Sequence, residues 1–177
     1  MSGGLLNMTE VVDRYELVPP LQQGMLLHAL STSGTGVDVE QIIVMTSEPL
    51  DVETFERAFL PVMQRHTVLR TRLRWSDVDE PCQEVVADGE LPATVADWSG
   101  LEPEEAEQRF EAQLQADRRQ DFDLSRAPIL RLFVAHLPPG GGSRVLWTFH
   151  HALGDGRSCV VLLEWFALYD AAAGARP

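Results

Sequence analysis

Hydrophobic and polar residues alternate along the chain with two different periods, which predict a mixture of helices and strands. After Asp51, a typical N-cap residue, apolar side chains recur every three to four positions. This spacing predicts a helix that buries one face and ends near His66. Shorter runs rich in β-branched residues predict strands. These strands cover residues 39–46, 129–137 and 144–150.

The remaining segments complete an α/β (α+β) sandwich, in which helices pack on a mostly antiparallel or mixed sheet. Two prolines open a first helix at residues 21–30, because proline suits a first helical turn. A strand at residues 68–75 places its arginines on a mostly solvated face, and residues 83–87 pair back on it as a hairpin. Residues 1–14 are weakly patterned and are expected to be poorly ordered, so the domain covers residues 15–177. Further helices are predicted at residues 102–120 and 158–173.

The last predicted helix is apolar on almost every side, from Val160 to Tyr169. A helix without a polar face must be enclosed by other elements. The sequence leaves two accounts of this helix open. Either it lies at the centre of this domain, or it also packs against a second lobe.

The charge balance excludes some functions. Lys and Arg total 14 and Asp and Glu total 27, so the formal net charge is −13. Such a surface repels phosphate backbones and makes a nucleic-acid partner a poor hypothesis. No apolar run approaches the roughly 20 residues that span a bilayer, and the start carries no secretion signal, which predicts a cytoplasmic domain without a membrane partner. Cys82 and Cys159 have neither zinc-ligand nor CxxC spacing and are expected to be idle thiols.

The strongest chemical signal is the heptapeptide HHALGDG at residues 150–156. Neighbouring residues at the end of a strand point to opposite faces, so His151 is expected to face a cleft while His150 turns inward. This opposition disfavours a shared metal ion. Asp155 is placed to anchor the loop through a buried basic partner, and Gly156 permits a close backbone approach.

Three further segments share the order and spacing of motifs found in one family. They are PLQQGMLLH at 20–28, RHTVLRT at 65–71, and FDL at 122–124 followed by PILR at 128–131. Together with HHALGDG, which matches HHxxxDG, they resemble the N-terminal lobe of a nonribosomal peptide synthetase condensation domain. Chloramphenicol acetyltransferase belongs to the same superfamily. The resemblance therefore implies a chloramphenicol-acetyltransferase-like lobe over residues 15–177, with the C-terminal lobe absent.

The resemblance implies an activity for the complete domain. A donor acyl or peptidyl thioester and an acceptor aminoacyl thioester, each on the phosphopantetheine of a peptidyl carrier protein, would be joined as an amide. The chain would bind no cofactor directly, because phosphopantetheine arrives with the carrier proteins. An adenylation domain would be adjacent in the full synthetase. The isolated lobe offers half of a tunnel and would be inactive.

The resemblance also implies roles for the motif residues. His151 takes the catalytic place, either as general base or as the group that orients the acceptor amine, and a histidine pKa near neutrality suits both roles. His150 is expected to be structural. Gly156 would help to place a backbone donor near the developing oxyanion.

Asp155 is expected to form a salt bridge with an arginine of the RHTVLRT segment. Both Arg65 and Arg70 are candidates, and the sequence does not choose between them. Breaking such an internal pair would leave a buried charge without its partner.

Two other functions remain open. The chain also fits a lobe of another HHxxxDG acyltransferase, one that forms esters or uses acyl-CoA, and it fits a non-catalytic module that binds carrier proteins. The RHTVLRT segment and the opening motif favour amide formation, but the acceptor nucleophile is not visible in the sequence. The other histidines are interpreted as helix-face or strand residues without a partner cluster: His28, His66 and His136.

Overall fold

The computed structural model describes residues 10–16, 21–32, 34–154 and 159–174. Its strands are β1 (Val11–Glu16), β2 (Val39–Thr46), β3 (Thr71–Arg74), β4 (Cys82–Val86), β5 (Ala93–Asp97), β6 (Leu130–His136) and β7 (Ser143–His150). Its longer helices are α1 (Leu21–Ser31), α2 (Val52–Arg65), α3 (Pro103–Arg118) and α4 (Cys159–Gly174).

The strands form two sheets. The larger sheet has the order β2–β7–β6–β5 and is antiparallel except for the pair β5–β6. Parallel neighbours need a crossover connection, and α3 supplies it. The smaller sheet, β1–β4–β3, is antiparallel. The predicted α/β (α+β) class with a mixed sheet is therefore confirmed.

Helices α2 and α4 pack together over one face of the larger sheet. Trp165 of α4 is fully buried and stacks on Phe55 of α2, with ring centroids 4.1 Å apart. Its Nε1 donates to the Phe55 carbonyl at 2.7 Å. Asp51 caps α2, as predicted, by accepting from the Thr54 backbone N–H at 3.2 Å. The resulting core includes Trp147 of β7, the strand that leads into the histidine motif.

The apolar character of α4 has two consequences. Val161 and Leu162 are buried in the core, whereas Val160 and Leu163 are 62% and 70% exposed. One face of α4 is therefore buried in the core of this chain, and the opposite face is exposed to solvent. No helix in the described ranges is long and apolar enough to cross a membrane.

The structure corrects the prediction around β3. The alternating pattern predicts a strand throughout, but Thr67–Arg70 forms a one-turn 3-10 helix and the strand begins at Thr71. The Thr71 hydroxyl donates to the Thr67 carbonyl at 2.9 Å, which stabilises this turn. The arginine face is not a mostly solvated one, because Arg72 and Arg74 converge on the buried Glu84 of β4.

Two strands are not predicted from the sequence. β1 lies partly within the segment 1–14, for which poor order is expected, yet it pairs with β4 and places Arg14 opposite Glu84. All six of its side chains are exposed, so no apolar alternation marks it as a strand. β5 is also short and largely exposed. Residues 1–9 lie outside the described residues.

Candidate active site

β7 ends at His150, whose side chain is inside the fold and only 4% exposed. Its Nδ1 accepts a hydrogen bond from the Ala152 N–H at 3.1 Å, so the neutral ring carries its proton on Nε2. Burial lowers the pKa of His150 below its ordinary value. The neighbouring His151 and His28 lower this pKa further, while Asp38 acts against them. His150 is thus a buried residue whose neutral form is favoured, and its ring stabilises the turn that follows it.

His151 begins the one-turn 3-10 helix His151–Leu153. Its backbone N–H donates to the Asp38 carbonyl at 2.7 Å, and its side chain is half-buried. The Nδ1 atom is buried and has no hydrogen-bond partner among the residues that the structure describes. The backbone, rather than a side-chain partner on Nδ1, therefore sets the place of this ring. The remaining candidate residues, Asp155 and Gly156, lie outside the described residues.

Helix α1 lies beside the turn that His151 begins. Gln22 of α1 donates from Nε2 to the Ala152 carbonyl at 3.4 Å. Gln83 of β4 in turn donates to Gln22 Oε1 at 2.9 Å. The turn is thus contacted by Asp38, the residue before β2, through a backbone hydrogen bond and by α1 through a side chain, and α1 is itself contacted by β4.

A second polar cluster lies next to the motif. His28 Nδ1 is 2.7 Å from Asp38 Oδ2, and His28 Nε2 is 3.1 Å from the Thr32 hydroxyl oxygen. These three residues, with Phe122 and His150, line a cavity of about 40 Å³. The interpretation of His28 as a residue without a partner cluster is therefore wrong. No local sequence pattern predicts the pair of His28 and Asp38, because the two residues come from separate segments that meet only in the fold.

Comparison with protein families shows to which family the chain belongs. Residues 12–176 match the family described as Condensation domain. The chain belongs to the condensation-domain family. The matched range includes all four segments on which the sequence resemblance rests.

Several curated proteins contain a segment similar to this condensation-domain chain. Two of them are proteins of the linear gramicidin synthase of Brevibacillus parabrevis. One is 36% identical over 166 residues, which are 93% of this chain and 2% of that protein. The other is 39% identical over 168 residues, which are 94% of this chain and 3% of that protein. The chain therefore spans a small fraction of the length of these relatives.

Solved condensation domains share the fold of this chain. The starter condensation domain of the rhizomide synthetase RzmA superposes with a TM-score of 0.80 at 17% identity, covering 93% of this chain and 41% of that one. The first condensation domain of the calcium-dependent antibiotic synthetase, in complex with a substrate analogue, gives 0.77 at 20% identity, covering 94% and 41%. The predicted chloramphenicol-acetyltransferase-like fold is therefore confirmed.

In this condensation-domain chain, the RHTVLRT segment lies where α2 ends and β3 begins. Arg65 is 71% exposed and forms an ion pair with Glu164 of α4. The same carboxylate is 2.7 Å from His66 Nε2. His136 also has a partner, since its Nδ1 is 2.9 Å from the Ser143 hydroxyl. The interpretation of His66 as a residue without a partner cluster is therefore wrong, whereas His136 is a strand residue with one hydroxyl neighbour.

Arg70 is more buried than Arg65, the first arginine of the segment. Its Nε donates to the Met63 carbonyl at 3.0 Å, and its Nη1 donates to the carbonyls of Val86 and Ala87. Within the described part of the chain, the hydrogen bonds of this guanidinium therefore use Nε and Nη1. This arrangement joins the end of α2 to the end of β4.

A buried polar network beneath β7 is not predicted from the sequence. Asp117 of α3 is 6% exposed and binds Arg131 Nε at 2.8 Å, the Thr148 hydroxyl at 2.6 Å and Gln41 Nε2 at 3.2 Å. The Arg131 guanidinium also lies 4.1 Å from the ring centroid of Phe122. The network ties α3 to three strands of the larger sheet just before the histidine motif. Its members are scattered in sequence, so spacing alone does not reveal them.

Proposed function

We propose that residues 15–177 are the N-terminal lobe of a condensation domain in a cytoplasmic nonribosomal peptide synthetase, and that the complete domain forms amide bonds. The observation that carries the proposal is the placement of His151 within the HHxxxDG motif of a condensation-domain chain. Its side chain is half-buried at the end of β7, beside the fully enclosed His150. A histidine so placed is held by the fold and is still partly exposed, as a residue that contacts a reactant must be.

The proposed reaction joins two carrier-bound thioesters. The amine of the acceptor aminoacyl thioester attacks the carbonyl carbon of the donor acyl or peptidyl thioester. A carbon–nitrogen bond forms, the donor carbon–sulfur bond breaks, and the amine proton ends on the departing pantetheine thiolate. Phosphopantetheine arrives on the donor and acceptor peptidyl carrier proteins, so this lobe supplies side chains and backbone groups rather than a bound cofactor.

We assign the motif residues distinct parts in this reaction. His151 either takes the amine proton as a general base or accepts a hydrogen bond that orients the amine. His150 is structural, a role supported by its burial and by the hydrogen bond that it accepts from Ala152. Gly156 places a backbone donor near the oxyanion that develops on the donor carbonyl.

We assign Asp155 a salt bridge with an arginine of the RHTVLRT segment, which would anchor the loop after the motif. Arg70 is favoured over Arg65 by what surrounds each guanidinium. Arg65 is mostly exposed and already faces Glu164. Arg70 is part-buried, and its hydrogen bonds to described residues leave Nη2 for a partner elsewhere.

The proposal requires a second lobe and several neighbours. The chain aligns with about two fifths of each solved condensation-domain chain, 41% in the rhizomide case. We therefore propose that a C-terminal lobe completes the tunnel, that both carrier proteins dock on the complete domain, and that an adenylation domain is adjacent in the synthetase. The 177-residue chain alone is expected to be inactive.

The test compares the complete two-lobed domain with its His151→Ala variant, using both carriers loaded with substrate. We expect amide formation to fall about 100-fold or more in the variant, the range that a lost general base produces. Glu105→Gln is the matched control, because Glu105 lies on α3 in an exposed pair with Arg109. An unaffected His151→Ala variant contradicts the catalytic assignment. An ester formed from an alcohol acceptor, with no amide, identifies a different acyltransferase instead.

A further inference from the structure

Among the described residues, three hydrogen bonds tie the turn that contains His151 to groups outside it, and two of them use side chains, those of Gln22 and His150. Gln22 reaches the Ala152 carbonyl, as described above. The third is the hydrogen bond from the His151 N–H to the Asp38 carbonyl, which at 2.7 Å is the shortest of the three. The place of the His151 ring therefore depends on where the Asp38 carbonyl stands.

Asp38 lies in the turn immediately before β2, at the point where the strand pairing of β2 with β7 ends. The first paired residue is Val39, which lies opposite His150. The preceding backbone turns at Gly36, where φ is +64°. A residue in such a turn needs another anchor, and the Asp38 side chain has one. Its Oδ2 lies 2.7 Å from His28 Nδ1, which donates the hydrogen bond because a carboxylate only accepts.

The ring of His28 is held at both nitrogens. The Thr32 hydroxyl donates to the His28 carbonyl at 2.9 Å, and its oxygen lies 3.1 Å from His28 Nε2. Thr32 immediately follows α1, so the ring is fixed to the end of that helix. The chain of contacts then runs from α1 through His28 and Asp38 to the backbone of His151.

We propose that His28 and Asp38 form a positioning pair for His151. The pair fixes the Asp38 carbonyl, the carbonyl fixes the His151 N–H, and the position of the imidazole follows. This inference rests on the proposed catalytic function of His151 and adds two residues to it. Neither residue touches the reacting atoms, so both are positioning residues.

Exposure argues against a role in core packing alone. The His28 side chain is 37% exposed and that of Asp38 is 18% exposed. Removal of a partly exposed imidazole deprives the core of little apolar contact. The main loss is the hydrogen bond that holds the turn before β2. Small misplacements of a catalytic group are sufficient to reduce rates, because a displacement of about 1 Å can cost about 100-fold.

The chemistry of the pair supplies a matched set of variants. Asparagine places an amide nitrogen near the position of His28 Nδ1, so His28→Asn keeps a donor for Asp38. His28→Leu fills a similar volume without any donor. Asp38→Ala removes the carboxylate and keeps the backbone carbonyl that His151 uses. Glu105→Gln again reports on the loss of an unrelated surface pair.

The measurement is steady-state condensation by the complete two-lobed domain with both loaded carriers. We expect His28→Leu and Asp38→Ala to lower kcat about tenfold with an unchanged KM for the acceptor carrier, since positioning acts on the chemical step. His28→Asn should stay within about twofold of the parent. The double variant should lose no more than either single one, because both changes break one contact.

A second readout does not depend on turnover. Amide hydrogen exchange should speed up about tenfold at the His151 N–H in His28→Leu and not in His28→Asn, because the Asp38 carbonyl is then less fixed. The proposal is overturned if His28→Leu retains its kcat and its amide protection, or if His28→Asn and His28→Leu lose kcat equally. Failure of the parent domain to form any amide is a different result. It refutes the proposed function, and the exchange measurement alone then tests whether His28 and Asp38 position His151.

Discussion

The ring of Phe122 stands edge-on to the ring of His150, with centroids 6.3 Å apart and planes at 90°. The same phenyl ring lies against the guanidinium of Arg131, which Asp117 binds from α3. Phe122 thus connects the buried polar network under the larger sheet to the first histidine of the motif. A contact between a segment before β6 and the end of β7 is therefore part of how the fold fixes the site.

Replacing the Phe122 ring with leucine should remove its contacts with His150 and Arg131 without leaving a large cavity. Phe122→Leu keeps an apolar side chain but loses the edge-to-face and cation–π contacts, so we expect the free energy of unfolding to fall by about 1 kcal/mol. Urea denaturation of the chain measures this change. A matched variant, Phe133→Leu, removes an aromatic contact with Trp98 far from the motif. Only Phe122→Leu should also slow condensation in the complete domain, and an equal effect of both variants on rate would contradict the connection.

The buried imidazole of His150 should make stability depend on pH. Its pKa in the folded chain lies below the ordinary value of 6.5, because burial disfavours the charged ring. As pH falls below 6.5, the unfolded chain binds a proton that the folded chain does not. The free energy of unfolding therefore decreases as pH falls. The free energy of unfolding, measured by urea between about pH 8 and about pH 5, should therefore fall on the acid side of this range.

His150→Asn isolates this contribution, because asparagine retains an acceptor for the Ala152 N–H but does not titrate. The difference in unfolding free energy between parent and variant should shrink as pH falls. If the two proteins show the same slope between neutral and mildly acidic pH, the pKa of His150 is not lowered by the fold.

Glu84 should be the most sensitive carboxylate of the smaller sheet. It is 4% exposed and binds Arg14 of β1 and Arg72 of β3. Burial raises the pKa of this carboxyl, but the hydrogen bonds from Arg72 and Arg14 outweigh that effect and lower it overall. Glu84→Gln leaves a largely buried guanidinium without its charge partner, so we expect a loss of about 3 kcal/mol in unfolding free energy.

The exposed pair of Glu105 and Arg109 provides the comparison for this variant. Glu105→Gln should change the urea midpoint little, since surface pairs contribute weakly. In the parent protein, the contribution of Glu84 is present above its ordinary pKa of 4.5 and is lost as pH falls through the lower folded value. Glu84→Gln should remove that acid dependence, and a midpoint shift no larger than that of Glu105→Gln would refute the assignment.

Elements that depend on local signals are predictable from the sequence. β2 has the predicted bounds, and α2 begins after Asp51 as expected, because β-branched runs and N-caps act within a few residues. β1 carries no such signal. Its exposed side chains follow no alternation, and its strand conformation comes from pairing with β4, about seventy residues away, as the Arg14 to Glu84 register shows.

The candidate site shows the same division. The motif itself indicates the position of His151, because seven adjacent letters carry the resemblance. The groups around it come from tertiary contacts between distant segments, such as His28 with Asp38 and Asp117 with Arg131. Each of these residues alone has the pattern of an ordinary surface or strand residue. Only the packing of α1 and α3 on the sheet reveals that they are paired.

The hairpin between β6 and β7 contains a glycine that no other residue should replace. Gly142 has φ +65°, and a Cβ atom there would lie 1.9 Å from the Thr46 carbonyl oxygen. Gly140 also has a positive φ, of +87°, but a Cβ atom there would meet nothing within 4 Å. Gly140→Ala should therefore cost about 1 kcal/mol from backbone strain alone.

Gly142→Ala adds a clash with the neighbouring strand to the same strain. Its relief requires β2 and β7 to separate locally, so we expect a loss in unfolding free energy several times that of Gly140→Ala. Thermal and urea unfolding of the two variants measure the difference. Equal losses would show that the hairpin moves aside freely and that the close approach to Thr46 is not a constraint.

The choice between Arg65 and Arg70 as the partner of Asp155 is open to a double-mutant cycle. Arg70→Ala leaves the carbonyls of Met63 and Val86 without their donor, so we expect a loss of about 2 kcal/mol in unfolding free energy, and a smaller loss for the exposed Arg65→Ala. If Arg70 also binds Asp155, then combining Arg70→Ala with Asp155→Ala should cost less than the sum of the single changes. The combination with Arg65→Ala should be additive. Coupling to Arg65 instead would assign the salt bridge to the end of α2 and leave Arg70 the purely structural task of joining α2 to β4.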